Sequence, residues 1–163
     1  SLSGARANLA TFEGVRRRQE LLGEPGGVRV YDDFAHHPTA VDETLRALRA
    51  RHPRGALWAV FEPRSATSCR ALHQEAYAQA FSAADHVLLA PLGRANVPEA
   101  ERLDLQRLAR DLGPKASATT GIGPIVAEIA ARARPGDTIA LMSNGSFGGM
   151  SQRLLTELGR RDG

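Results

Sequence analysis

From residue 28 onward the apolar positions of this 163-residue chain switch between two spacings. VRVY, residues 28–31, alternates apolar and polar, as a half-buried strand does. In TAVDETLRALRA, which follows, Val41, Leu45 and Leu48 recur at helical spacing, predicting a helix over 39–51. Pro38 suits its first turn, where a missing N–H costs nothing. ALWAVFE, residues 56–62, is one continuous apolar run, the pattern of a strand covered on both faces. The alternation continues with a helix over 68–82, a strand over 85–90 and a helix over 104–112. A short strand over 116–119, a helix over 122–134, a strand over 137–143 and a helix over 147–158 complete it. Ahead of all these, RRRQELLG and VRVY flank Gly26-Gly27 and read as a hairpin. Strand–helix alternation predicts an α/β fold: a Rossmann-like, doubly wound, mostly parallel sheet with helices on both faces and right-handed crossovers. The leading hairpin adds an antiparallel edge.

Composition narrows the class. The length suits one domain over 14–163, with polar residues 1–13 as a linker or the end of a preceding domain. An apolar fraction of 42% is ordinary for a globular chain. No run approaches the length of a membrane helix, and no signal peptide is expected. Cys69 is the only cysteine, which excludes an internal disulfide and a cysteine metal cluster and fits a reducing cytoplasm. The net charge is +3, with Arg16, Arg17 and Arg18 consecutive. A basic run invites a nucleic-acid reading. Aromatics at 5% offer no stacking platform, and the basic residues are scattered among acids, so a small anionic substrate is favoured.

The densest chemistry is YDDFAHHPTAV, residues 31–41, where two acids, two histidines and a proline fill the gap between a strand and a helix. Open α/β sheets bind ligands at the carboxyl ends of their strands. A helix cap, with Asp33 and Thr39 as candidates, explains one polar residue but not Asp32, Asp33, His36 and His37 together. Asp33 suits a ribose hydroxyl or a magnesium-bound water, with Asp32 in support. His36 and His37 suit an anion at a helix N-terminus. Adjacent histidines do not readily chelate one ion, and His52, His73 and His86 show no ligand spacing to them, so no metal site is expected. Arg64 follows the buried strand and can grip a carboxylate bidentately, or pair with Glu62. SNGSFGG, residues 143–149, offers three glycines for close backbone approach. Cys69 stands at a predicted helix start, without a histidine partner.

DDFAHHPTA resembles the signature that opens the C-terminal domain of the Mur ligases, the ATP-dependent amide ligases of peptidoglycan synthesis. FEGVRRRQELLG (12–23), EPRSAT (62–67) and MSNGSFGG (142–149) agree in order and spacing with the domain junction and two later loops of that family. Phe34-Ala35 and Ala40, with EPRS and SNGSFGG, fit the branch that recycles murein peptide better than the alanine-adding branch. The resemblance implies nucleotide contacts from Arg18 and Asp33. It implies peptide contacts from His36, His37, Arg64, Ser143, Asn144, Ser146 and Phe147. No residue of this domain is expected to be catalytic, and Arg18 and Asp33 are expected at the open end of the sheet rather than in its core.

The implied cofactors are ATP and Mg²⁺. The implied partners are the tripeptide L-Ala-γ-D-Glu-meso-diaminopimelate and UDP-N-acetylmuramate, with no nucleic acid and no membrane. The family often has glycine where Ser146 stands, so a strained backbone is expected at that serine. No G-x-x-x-x-G-K-[ST] phosphate loop occurs in the chain, so the phosphate cradle would lie in a separate central domain. The alternatives are the corresponding domain of an alanine-adding ligase and a stand-alone module binding a nucleotide or acidic peptide. A dehydrogenase is disfavoured, since no G-x-G-x-x-G follows the first strand.

Overall fold

The computed structural model describes residues 18–64, 69–93 and 97–161. Residues 1–13, expected to be a linker, lie outside these, as do Arg16 and Arg17. Six strands form one sheet in the order β1-β2-β6-β3-β4-β5. They are β1 (Glu20–Gly23), β2 (Arg29–Asp33), β3 (Leu57–Phe61), β4 (His86–Leu89), β5 (Ala116–Ala118) and β6 (Thr138–Met142). Only β1 runs antiparallel to its neighbour; the β2–β6, β6–β3, β3–β4 and β4–β5 pairs are parallel. The doubly wound sheet with an antiparallel edge is therefore as the sequence implies.

Among the described residues, four helices connect the strands, α1 (Pro38–Arg51), α2 (Gln74–Ala80), α3 (Leu105–Leu112) and α4 (Ile122–Arg132), and α5 (Met150–Arg160) follows β6. The pleat sends alternate side chains of each strand to opposite faces. Leu57, Ala59 and Phe61 of β3 join Ala140 and Met142 of β6 under α1, α2 and α3. Trp58 and Val60, with Ile139 and Leu141, pack under α4 and α5. A strand buried on both faces has no polar positions to spare, which accounts for the unbroken runs in β3 and β6.

The helix sides follow from handedness. The chain moves outward from β2 to β3, β4 and β5 with its helices on one face. It then returns to β6 in the opposite direction, so a right-handed crossover puts α4 on the other face. The return strand enters between β2 and β3.

At the amino end, Asp137 ties the layers together. Its carboxylate accepts the Ala56 N–H at 3.0 Å, the Arg134 N–H at 3.0 Å and the Trp58 indole N–H at 3.1 Å. One buried and two part-buried donors are thereby satisfied by one side chain.

Two elements differ from expectation. The helix expected over 68–82 is shorter: a 3-10 turn, Ala71–His73, precedes α2 at Gln74. The last helix likewise opens with a 3-10 turn, Phe147–Gly149, before α5. Glycines at φ 55° and 76° break the regular turn there. Among the described residues, no helix is long and apolar enough to cross a membrane.

Two histidines away from the carboxyl end set a pH dependence. A ring nitrogen of His52 lies 2.8 Å from the Tyr31 hydroxyl, and the His86 ring stacks on Trp58 with centroids 4.2 Å apart. Burial pushes both imidazoles below their ordinary range, aided by Arg29 and Arg51 at His52 and by Arg132 at His86. The carboxylates of Glu24, and of Asp85, Asp137 and Glu128, pull the other way and lose. As pH falls through about 6.5, the unfolded chain protonates at these positions before the folded one. The unfolded state then binds more protons, so folding stability is lost on acidification. The thermal midpoint of the chain should fall between pH 7.5 and pH 5, and His52→Gln should flatten that slope. An identical slope in wild type and variant would remove His52 from the account.

Candidate functional site

Loops leaving adjacent strands toward opposite faces open a crevice at the carboxyl end of a sheet. Here that place is β6. The connections leaving β2 and β3 turn to one face, and the one leaving β6 turns to the other. The Ser143 N–H donates to the Asp33 carbonyl at 3.2 Å, and the Glu62 N–H donates to the Met142 carbonyl at 3.0 Å. Three of the motifs singled out in the sequence thus meet across one strand end.

Asp33 is the last residue of β2 and only 1% exposed. Its Oδ1 accepts the Ala35 N–H at 2.7 Å and the Thr44 hydroxyl at 3.2 Å, and its Oδ2 accepts the Gln19 N–H at 2.8 Å. Burial pushes the carboxyl above its ordinary range, against the pull of those two N–H groups, the Thr44 hydroxyl and the Arg18 charge. Asp33 is not the cap of α1. The N-cap is His37, whose side chain makes no capping bond. Nor does Asp33 stand clear of the core, as the sequence implied; it is buried while still lining a cavity. That cavity, about 420 Å³, is bounded by Arg18, Gln19, Asp33, Phe34, His36 and Glu43, among others. Arg18 and Asp33, grouped by sequence reasoning, are therefore brought together. Gln19 has φ 47°, and its Oε1 is buried without a partner.

His36 and His37 lie on the loop between β2 and α1, with ring centroids 4.6 Å apart. The Tyr77 hydroxyl, from α2, donates to the His36 carbonyl, fixing the loop to a neighbouring helix. His73, set apart by the sequence reading, lies 5.8 Å from His37 between centroids. Burial lowers the His37 imidazole below its ordinary range, and the charges of His36 and His73 lower it further. Among the described residues, no group of three or more His, Cys, Asp or Glu side chains is placed to hold a metal ion.

On the other side of β6, Ser143 is fully buried and donates its hydroxyl to Glu62 at 2.7 Å, while accepting the Gly145 N–H at 3.0 Å. Glu62 is itself buried and forms no ion pair with Arg64. Arg64 instead crosses the backbone of Gly145: a Cβ on that glycine would meet Arg64 Cδ at 2.2 Å and Nε at 2.4 Å. A second glycine, Gly93, makes room for the same side chain, with Arg64 Cγ at 2.9 Å. Arg64 is thus laid against the 143–149 loop rather than against Glu62. The Asn144 Oδ1 is buried without a hydrogen-bond partner.

Ser146 has φ −79° and is unstrained, which corrects the expectation placed on it. The left-handed conformation falls one residue later, on Phe147 at φ 53°. The Phe147 ring is 3% exposed within the α4–α5 core cluster, and this burial holds the unfavourable backbone in place.

Cys69 is not at a helix start. It is buried, with Sγ 3.0 Å from the Pro63 carbonyl oxygen. Sequence reasoning missed Gln19, Thr44, His73 and Tyr77. Thr44 carried a weak signal, since it lies on the buried face of the helix three residues after Val41. The other three are assembled by tertiary contacts alone.

The comparisons agree with this geometry. Residues 17–145 match the family model for the Mur ligase, glutamate ligase domain. The chain is 40% identical over 154 residues to the UDP-N-acetylmuramate–L-alanyl-γ-D-glutamyl-meso-2,6-diaminoheptandioate ligase of Escherichia coli K12. That match covers 94% of the chain and 32% of the relative, so the chain spans about a third of that relative's length. The crystal structure of a murein peptide ligase from Psychrobacter arcticus superposes with a TM-score of 0.76 at 37% identity, over 94% of this chain and 32% of that one. A crystal structure of a domain from a protein of Haemophilus ducreyi, described as a putative UDP-N-acetylmuramate:L-alanyl-γ-D-glutamyl-meso-diaminopimelate ligase, gives 0.71 at 33% identity, over 86% of this chain and 99% of that one. On these matches and on the sheet that carries its motifs, the chain belongs to the Mur ligase family, as its C-terminal domain.

Proposed function

We propose that this chain is the substrate-binding C-terminal domain of a ligase that joins L-Ala-γ-D-Glu-meso-diaminopimelate to UDP-N-acetylmuramate at the expense of ATP in the cytoplasm. The observation that carries this reading is the placement of two unlike sites on either side of the β6 carboxyl end. One is the Arg18–Asp33 cavity, and the other is the Arg64 guanidinium laid along the 143–149 loop. A nucleotide and a peptide would meet across one strand.

The cavity residues fit a nucleotide. Arg18 offers a fixed positive charge for a phosphate. Asp33 Oδ2 accepts one hydrogen bond, from the Gln19 N–H, which leaves it capacity for a ribose hydroxyl. ATP, when bound, supplies the phosphoryl group that activates the muramate carboxylate. This domain would hold the nucleotide's outer edge and exclude water on closure, while Mg²⁺ and the phosphate cradle belong mainly to the central domain. Arg64 would take a peptide carboxylate as a two-pronged donor. His36, His37, Ser143, Asn144, Ser146 and Phe147 would shape the rest of the peptide site. UDP-N-acetylmuramate would bind outside this domain.

The 163-residue chain alone is expected to release no phosphate from ATP, with tripeptide and UDP-N-acetylmuramate supplied. Release above background would overturn the assignment of the phosphate cradle elsewhere. In the full-length enzyme, Arg18→Ala should lower turnover roughly tenfold or more, since a charge-assisted contact is worth about 1.5–3 kcal/mol. Asp33→Ala carries a second cost, because the Gln19 and Ala35 N–H groups and the Thr44 hydroxyl lose their acceptor. It should cost on the order of 1–3 kcal/mol of stability as well. Asp33→Asn, which keeps one acceptor oxygen, separates the two effects by pairing activity with thermal unfolding.

Arg64→Ala should raise the peptide KM about tenfold with little change in the KM for UDP-N-acetylmuramate. Arg64→Lys should not restore it, because an ammonium lacks the planar fork. Gly145→Ala should act in the same direction by pushing Arg64 off the loop. Steady-state kinetics with each substrate varied separately decide the matter, and an unchanged peptide KM in all three variants would take Arg64 out of the site.

A further inference from the structure

Three imidazoles from two separate segments stand in a row whose first member, His36, lines the Arg18–Asp33 cavity. His36 and His37 come from the β2–α1 loop, and His73 from the turn before α2. The centroid steps are 4.6 Å and 5.8 Å, and the row continues to the Tyr77 ring 6.4 Å beyond His73. Tyr77 also binds the His36 carbonyl, so both ends of the row are held by one helix.

The hydrogen bonding decides what this row can receive. His36 Nδ1 lies 3.0 Å from the Phe34 carbonyl oxygen. A carbonyl only accepts, so Nδ1 carries a proton, and in the neutral ring Nε2 holds a lone pair. A lone pair repels a carboxylate. The ring becomes a donor to an anion only by gaining a proton.

The charged groups around the row are few. Arg18, Asp33 and Glu43 share the cavity that His36 lines. Glu75 on α2 is taken by Arg107 at 2.6 Å, and Arg70, ahead of α2, pairs with Glu101 at 3.4 Å. The charges that act on His37 are those of His36 and His73. Among the described residues, burial and the charges of His36 and His73 disfavour a proton on His37, whereas an arriving carboxylate would favour one.

We infer that His73 completes, with His36 and His37, a carboxylate subsite that takes up a proton as its anionic ligand binds. This rests on the peptide reading above and adds to it a residue and a pH dependence. The subsite would favour the most highly carboxylated end of a peptide, and its affinity would rise as pH falls through the imidazole range.

The test is calorimetric titration of the 163-residue chain with L-Ala-γ-D-Glu-meso-diaminopimelate at pH 6, 7 and 8, in buffers of different ionisation heat. The slope of the observed heat against buffer heat counts protons. We expect uptake of about half to one proton per peptide at pH 7, and about tenfold tighter binding at pH 6 than at pH 8. His73→Gln, which can still hydrogen-bond but cannot titrate, should at least halve the uptake and flatten the pH slope. His37→Gln, at an exposed position, is the second variant and should do the same. His73→Gln should also raise the titration midpoint of the His37 C2 proton in NMR of the empty chain, since one repelling charge is gone.

Binding with no proton uptake in wild type would overturn the subsite and leave the peptide reading standing. Uptake unaltered in His73→Gln would remove His73. No binding of the peptide at pH 6 or pH 8 would overturn both.

Discussion

Everything at the carboxyl end depends on β6 entering the sheet between β2 and β3. A parallel strand placed there pairs with both neighbours over its whole length, Thr138 to Met142. The next residue, Ser143, is then fixed from both sides, by the Asp33 carbonyl on one and the Glu62 carboxylate on the other. Those bonds are short-range and buried, so they set the geometry tightly. The insertion makes the Arg18–Asp33 cavity and the Arg64 arm neighbours across one strand end.

Asp33 carries two demands that pull against each other. As a structural acceptor it joins the chain entry at Gln19, the β2–α1 loop at Ala35 and the helix at Thr44. In the proposed nucleotide role it must also keep an oxygen toward the cavity it lines. Three donors arranged on two oxygens meet both demands, and they hold the carboxylate in one rotamer while doing so. Preorganisation of this kind lowers the entropic cost of receiving a ligand. The burial that achieves it also pushes the carboxyl toward its neutral form, which the same three donors resist.

The sheet was legible in the sequence because burial on both faces leaves a pattern that nothing else in the chain imitates. LWAVF in β3 and TIALM in β6 are cases of it. The helix before β4 was read too long, since QEAYAQA continues upstream into ALH with no residue that forbids a regular turn. The motif residues of the proposed site stand together in the sequence: Asp33, His36, Arg64 and Ser143 lie at or just past carboxyl ends of strands. His73, which the inference above adds, is not in any of those motifs. It lies 36 positions from His37, and no periodicity links a turn before one helix to a loop before another. The strain at the 143–149 loop was placed one residue early. The resemblance implies a positive φ at the serine that stands where the family often has glycine, but the backbone puts it where a buried ring can hold it, at Phe147.

The two margins of the sheet have a consequence for how this chain behaves at high concentration. β1 is four residues long with a register irregularity between Leu21 and Gly23, and β5 is three residues long. An unpaired strand edge is a template on which another molecule can add a strand, and its strength grows with its length and flatness. One edge here is bent and the other is brief, so neither presents a long straight ladder of free N–H and C=O groups. The buried β3 and β6, whose apolar sequences would self-associate if exposed, are each kept two strands in from the nearer margin.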